Sequence, residues 1–238
     1  MHDTTRQRVL LVNVLVVAVC ALVYELLCGT LASYLLGDAV LQFSLVLGTY
    51  LFAMGVGAWA SKWLEPRAAS RYVQTELALA LVGGLSVPLL LAGVAAHVPL
   101  RPALHAVVFV VGALVGVELP LLVKILREPR GDRPSGQAHA TDEPKAQSFG
   151  ELVARAFAYD YVGALAASLL FPFLLVPRLG LVRTSVVSGA VNAIVALSAT
   201  FVVRVERPGL VRVVGVLILA VLAVTFVRGE AWVAGATD

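Results

Sequence analysis

Between Val9 and Leu36 the chain carries one charged side chain, Glu25, in an otherwise apolar stretch. A helix needs about 20 mostly apolar residues to cross the hydrocarbon core of a bilayer, and a run of this length fits that role best. Six further stretches repeat the pattern: Val40–Ala60, Thr75–Ala96, His105–Leu126, Phe157–Val176, Thr184–Val203 and Leu210–Val227. None of them alternates polar with apolar residues, which argues against a membrane barrel. The expectation is an all-α, polytopic integral membrane helix bundle with about seven transmembrane helices, forming a single membrane domain over residues 1–238. Composition agrees, with 60% hydrophobic and 14% charged residues and a mean hydropathy of +0.91. Soluble domains are about half apolar and a quarter charged.

Basic residues set the expected orientation. All of the 18 Lys and Arg residues except Arg101, Arg178, Arg183 and Arg228 fall in segments that share a side with the N-terminus. This places the N-terminus in the cytoplasm of a multi-pass protein of the cell (inner) membrane, and seven crossings leave the C-terminus outside. The net charge of +3 is met by anionic lipid and needs no nucleic-acid partner. Residues 128–150, rich in Pro, Gly, Asp and Ser, read as a flexible cytoplasmic linker between helices four and five. No Gly-Lys-Ser/Thr follows its glycines, so it is not a phosphate-binding loop. The first apolar run is too long for a signal peptide and is expected to be retained. Cys20 and Cys28, separated by a rise of about 12 Å on a helix, are too far apart for a disulfide and read as small apolar core residues.

An Asp near the centre of a membrane helix costs about 2.5–3.5 kcal/mol on insertion scales, so acids there face protein or water. Glu25, Glu118 and Asp160 are such acids. Glu118 and Asp160 lie on antiparallel helices four and five, both towards the cytoplasmic half. Pro120 frees backbone carbonyl groups beside Glu118. Acidic and carbonyl oxygens suit a cation, a proton or an amine, and Tyr24, Tyr159 and Tyr161 offer cation–π faces beside the acids. The candidate cation-binding set is therefore Glu25, Glu118, Asp160, Tyr24 and Tyr161. Structural roles stay open for each acid alone: Arg155 can pair with Asp160, and Asn13 or Asn192 can hydrogen-bond Glu118. Glu76 reads as the acidic end of the third helix, favouring its N-terminus.

The remaining polar features read as architecture. Gly112/Gly116, Gly29/Ser33, Ser44/Gly48 and Ala53/Gly57 have the small-xxx-small spacing that lets helices approach closely. Tyr24-Glu25 with Ser33 and Tyr159-Asp160 with Ser168 share a spacing that either a parallel repeat or chance alignment of apolar sequence produces. His2, His97, His105 and His139 lack metal-ligand spacing, no nucleophile has a partner arrangement, and no cofactor is expected.

The ordered motifs Ala21-Leu-Val-Tyr-Glu-Leu26, Leu36-Gly37-Asp38, Gly116-Val-Glu-Leu-Pro120, Asp160-Tyr-Val-Gly-Ala-Leu165, Phe171-Pro172 and Pro177-Arg-Leu-Gly180 run through the chain. Together they resemble the N-terminal membrane domain of the membrane-bound spermidine synthases (polyamine aminopropyltransferases), from about Val9 to Val227. The resemblance implies a soluble Rossmann-like domain after the helices, with a glycine-rich loop and paired aspartates for decarboxylated S-adenosylmethionine and the amine. That domain has no counterpart between the last apolar run and Asp238, so the chain is not expected to be catalytic alone. A fused cytoplasmic enzyme also requires an even number of crossings, one more or fewer than seven.

The resemblance thus implies a membrane component of a polyamine system, binding or conducting a polyamine or other cation through its buried carboxylates. Its expected partners are the lipid bilayer, a polyamine ligand and a separate aminopropyltransferase subunit. The alternatives are a small proton-coupled secondary transporter of another substrate, or a passive membrane anchor or scaffold for a separate aminopropyltransferase.

Overall fold

The computed structural model describes residues 3–127 and 149–235, and all but the last two residues of the expected 128–150 linker lie outside them. Among the described residues eight α-helices follow one another: α1 (Asp3–Leu36), α2 (Ala39–Ala60), α3 (Ala68–Gly84), α4 (Ser86–Ala95), α5 (Leu100–Arg127), α6 (Phe149–Leu170), α7 (Val176–Val202) and α8 (Pro208–Gly235). Two 3₁₀ turns join α2 to α3, and a π turn over Phe171–Leu175 joins α6 to α7. No strand occurs among the described residues. Helix is the form in which an apolar segment satisfies its own backbone. Six helical segments among the described residues are long and apolar enough to cross a membrane: Gln7–Leu36, Ala39–Trp63, Ala68–Ala95, Leu100–Leu126, Val153–Val202 and Pro208–Gly229.

Local chemistry explains most of the boundaries. Gly37 and Asp38 adopt left-handed φ values of 72° and 42°, ending α1. The Asp38 carboxylate then caps α2 by accepting from the Leu41 amide at 3.1 Å. The third segment differs from expectation at its start and in its middle. Its helix begins at Ala68, not Thr75, and breaks at Leu85 (φ −96°, ψ 0°) into α3 and α4. Pro88 accounts for the break, because its missing N–H is harmless only in the first turn of a new helix.

The longest apolar segment, Val153–Val202, spans 50 residues and is bent. Gly180 has φ 71° and ψ 175°, outside the helical region, and the backbone on either side heads in different directions. Before the bend, Gly163 packs on Leu15 and Ala18 of α1. After it, α7 runs back until Val202 and Val203 share a core cluster with Leu10. Contacts fix the other directions. α3 is antiparallel to α7, since Gly84 meets Gly189 while Ser70 accepts from the Glu206 amide at 2.8 Å. α7 and α8 are antiparallel too: Val182 meets Gly229 and Thr200 accepts from Arg212 Nε at 3.1 Å.

Two apolar clusters fill the interior. One, around Leu10, Tyr72, Leu121 and Ile125, lies at the end where Arg67 pairs with Glu206 at 3.3 Å. The other, around Leu27, Tyr50, Leu104 and Phe171, fills the opposite half. Close helix approaches depend on absent side chains. A Cβ on Gly57 or Gly116 would overlap the backbone of Ala113 or Met54 across the α2–α5 seam, and one on Gly112 would lie 2.8 Å from the Tyr50 carbonyl oxygen. The Gly112/Gly116 and Ala53/Gly57 spacings therefore meet in one interface, whereas Gly48 faces open space and Gly29 accommodates the Phe43 ring.

The outer faces are as apolar as the interior, with Phe173 78% and Val227 77% exposed. Contiguous exposure of this kind is foreign to soluble monomers. At the corner after α2, the Lys62 ammonium lies over the rings of Trp59 and Trp63, 4.2 and 4.5 Å from their centroids.

Candidate functional site

Because α3 begins seven residues before the expected Thr75, Glu76 sits more than two turns inside it rather than at its end. Its side chain is fully buried, at 0% exposure. On antiparallel α5, Glu118 is 7% exposed. Counted at 1.5 Å per residue from the helix ends at Ala68 and Arg127, the two acids lie about 12 and 13 Å from the same end of the bundle. Their carboxyl groups stand side by side. The expectation that Glu76 only favours a helix N-terminus is thereby corrected.

Neither Glu76 oxygen receives a hydrogen bond from a protein donor. Tyr72, one turn earlier on α3, stands beside Glu76, but its buried hydroxyl also lacks a partner of normal hydrogen-bond geometry. From α1 come Cys20 and Tyr24, both within electrostatic reach of Glu76 and Glu118. Tyr24 is fully buried, wedged against Gly83, and its hydroxyl likewise has no partner. Residues 72, 76 and 83 fall on one stripe of a 3.6-residue helix, as do 13, 20 and 24 of α1, so two helices line one polar seam. Asn13 and Asn192 were the expected partners of Glu118. The Asn13 side-chain nitrogen and both polar side-chain atoms of Asn192 instead make no hydrogen bond. A polar group buried without a partner costs about 1–3 kcal/mol, so such a concentration calls for something to occupy it.

The other sequence-predicted residues stand around this centre. Asp160 is partly buried on α6, within electrostatic reach of Glu118 and Tyr50. Arg155, the expected partner of Asp160, pairs with Glu151 at 2.8 Å. Glu25 is partly buried on a different face of α1, near Cys28 and Tyr50. Tyr161 is 68% exposed and stacks on Phe157 at 6.3 Å, on the outside of the bundle. Tyr159 is exposed whereas Tyr24 is fully buried, so the two Tyr-acid motifs do not occupy equivalent surroundings. Pro120 lies within the continuous helix α5, which leaves the Gly116 carbonyl without its usual donor beside Glu118.

Sequence reasoning missed Glu76 and Tyr72. The signal was present as a Tyr-x-x-x-Glu pair followed by Gly83, all on one helical stripe. It becomes readable only once the helix start is moved to Ala68.

The chain is similar over most of its length to proteins named polyamine aminopropyltransferase. It is 42% identical over 222 residues to the one from Leptospira interrogans, covering 92% of this chain and 41% of that protein. Polyamine aminopropyltransferase 2 of Ralstonia nicotianae is 44% identical over 199 residues, 83% of this chain and 36% of the relative. Polyamine aminopropyltransferase 1 of Streptomyces coelicolor is 40% identical over 235 residues, 96% and 41% respectively. The chain thus spans about two fifths of the length of the curated relatives it matches. No protein-family model and no solved structure matches it.

Proposed function

Proceeding from this kinship with polyamine aminopropyltransferases, we propose that the chain is the membrane-embedded part of a polyamine aminopropyltransferase system. In this reading the helix bundle binds or conducts a polyamine or another cation through buried carboxylates. The observation that carries it is the buried Glu76–Glu118 pair, with Tyr72 beside it and the unpartnered Tyr24 hydroxyl within electrostatic reach, in a chain whose relatives are named for polyamine chemistry. Two acids in an apolar interior need compensating positive charge, and an ammonium group supplies it. Asp160, near Glu118, and Glu25, farther along α1, extend the acidic lining.

In the proposed topology the N-terminus is cytoplasmic, the location is the cell membrane, and Val153–Val202 crosses twice by reversing at Gly180. The Arg8, Arg67, Arg71, Lys124, Arg204 and Arg207 end then faces inwards, in keeping with positive-inside bias. Single cysteines at residues 38, 97, 180 and 207 of a Cys20→Ala/Cys28→Ala background test this. Labelling of the first three from outside intact cells and of the last only after permeabilisation is expected, and the opposite pattern refutes the orientation.

Binding of spermidine and putrescine to the purified chain in detergent, followed by calorimetry, tests the function. Saturable binding to wild type that is lost in Glu118→Gln/Asp160→Asn, with both proteins folded, is expected. Absence of binding to folded wild type refutes a polyamine site. It would leave the second reading, a membrane anchor for a catalytic part, which is favoured by the two fifths of its relatives' length that the chain spans.

A further inference from the structure

Glu76 and Glu118 differ from Glu25 and Asp160 in their surroundings. They touch each other, and among the described residues no cationic side chain is one of the groups acting on them. The titratable groups facing them are Cys20 and Tyr24 from α1, Tyr72 from α3 and Asp160 from α6. α2 adds Tyr50, which faces Glu118. α7 contributes neutral buried side chains, among them Ser188 and Asn192, while its partly buried Arg183 lies over the Phe226 ring of α8. The Arg212 guanidinium of α8 is engaged with Thr200 and the Phe201 ring, at the end of the bundle. Among the described residues, every titratable group acting on the pair is therefore neutral or acidic.

We propose that Glu76 and Glu118 form a cation–proton exchange site that takes one primary ammonium group and releases one proton. This deepens the proposed function and rests on it for the identity of the cation. When empty, two touching carboxyl groups in a low-dielectric interior hold one proton between them, since both cannot carry charge at such range. An arriving R–NH₃⁺ replaces that proton. The carboxylic acid gives up its proton, both groups become carboxylates, and the ammonium sits between them, so that total charge is conserved.

The acceptors match this ligand. An ammonium brings three N–H donors and no acceptor. The site offers two Glu76 oxygens that receive no hydrogen bond of normal geometry, beside the buried Tyr72 hydroxyl, and the unpartnered Tyr24 hydroxyl lies farther along the same seam, towards Gly83. The Tyr24 hydroxyl is the observation independent of the acids: it is fully buried, lies within electrostatic reach of both, and lacks a partner. A divalent metal is a poorer match, because Ca²⁺ takes six to eight oxygens and Mg²⁺ requires a near-ideal octahedron.

The test counts protons and ligand together. Purified wild-type chain in weakly buffered detergent is titrated with ammonium, methylammonium, putrescine and spermidine. Calorimetry gives the amount bound, and a pH-indicating dye gives the protons released. One proton per ammonium bound is expected for wild type. Glu76→Gln leaves one carboxylate with no shared proton, so its release should fall at least fivefold even where binding persists. Binding without proton release, or release unchanged in Glu76→Gln, overturns the exchange site while leaving polyamine binding intact. Proton-linked binding of ammonium without any of putrescine or spermidine supports the site and refutes the polyamine reading. No binding of any cation overturns both.

A second measurement needs no variant. A hydrophobic carbodiimide modifies protonated buried carboxyl groups, and the modified residue is read by mass spectrometry. Modification of Glu76 or Glu118 that methylammonium suppresses at least tenfold is expected, and failure of methylammonium to protect them overturns the proposal.

Discussion

Gly116 of α5 rests its bare Cα against the backbone of Met54 on α2, so closely that a Cβ would overlap the Met54 carbonyl. The contact lies half a turn from Glu118 and joins the helix bearing that acid to the helix bearing Tyr50. Gly116→Leu should force the two helices apart at a cost of about 1–3 kcal/mol or more. Gly48→Leu, on the open side of α2, serves as the control. Thermal midpoints of the purified proteins in detergent decide the matter: a clear fall is expected only for Gly116→Leu, and equal midpoints would contradict the seam.

Gly180 predicts a purely conformational effect. Its φ of 71° and ψ of 175° suit glycine alone, yet no atom lies within 4 Å of where its Cβ would be. Strain of about 1–3 kcal/mol is expected for Gly180→Ala, with little added by Gly180→Ser because there is room for the larger side chain. If unfolding measurements found Ser far worse than Ala, packing rather than backbone geometry would govern the position.

The Tyr50 hydroxyl donates to the Ala21 carbonyl at 3.1 Å, tying α2 to α1. Such bonds between membrane helices average about 0.6 kcal/mol and reach about 1.7 at most. Tyr50→Phe should therefore lower stability by about 1 kcal/mol or less, while Tyr50→Ala, which also empties a packed site, should cost several times more. Near-equal losses in a steric-trap or denaturant titration would contradict this division.

Asp38 offers a test at the surface. Loss of its cap on the Leu41 amide in Asp38→Ala should cost about 1 kcal/mol. Asp38→Asn should cost only tenths of that, because the amide oxygen accepts the same bond and asparagine tolerates the left-handed φ of 42°. Helix content near the α1–α2 corner, followed by hydrogen exchange of Leu41, should report the difference.

The apolar runs were legible in the sequence because hydropathy over about 20 residues leaves little choice of structure. The beginning of α3 was not. Ala-Ala-Ser-Arg-Tyr-Val-Gln looks like a loop by hydropathy alone, yet it continues a helix whose Tyr72 and Val73 pack into the core. This misplacement concealed Glu76. The break at Leu85 was masked by the opposite fault, since Pro88 stands in a segment apolar enough to pass as continuous. Helix pairing was the third gap. Glu118 was recognisable as an isolated acid, but its partner depended on α3 packing against α5, which no local pattern records. Tyr161 shows the converse: adjacency to Asp160 in sequence said nothing about which face of α6 it occupies.

The Trp59–Lys62–Trp63 corner bears on how deep the acids sit. In a bilayer the indole rings favour the headgroup layer and the ammonium favours water, and here one cluster satisfies both demands. Displacing α2 by a single turn, about 5.4 Å, would drag the rings into hydrocarbon or lift them clear of it. The two 3₁₀ turns between Ala60 and Ala68 leave little slack, so α3 moves with that corner. In a bilayer such a pair of aromatic rings at the waterline would act as ballast for the whole molecule, and would set the level of Glu76 from outside the helix core.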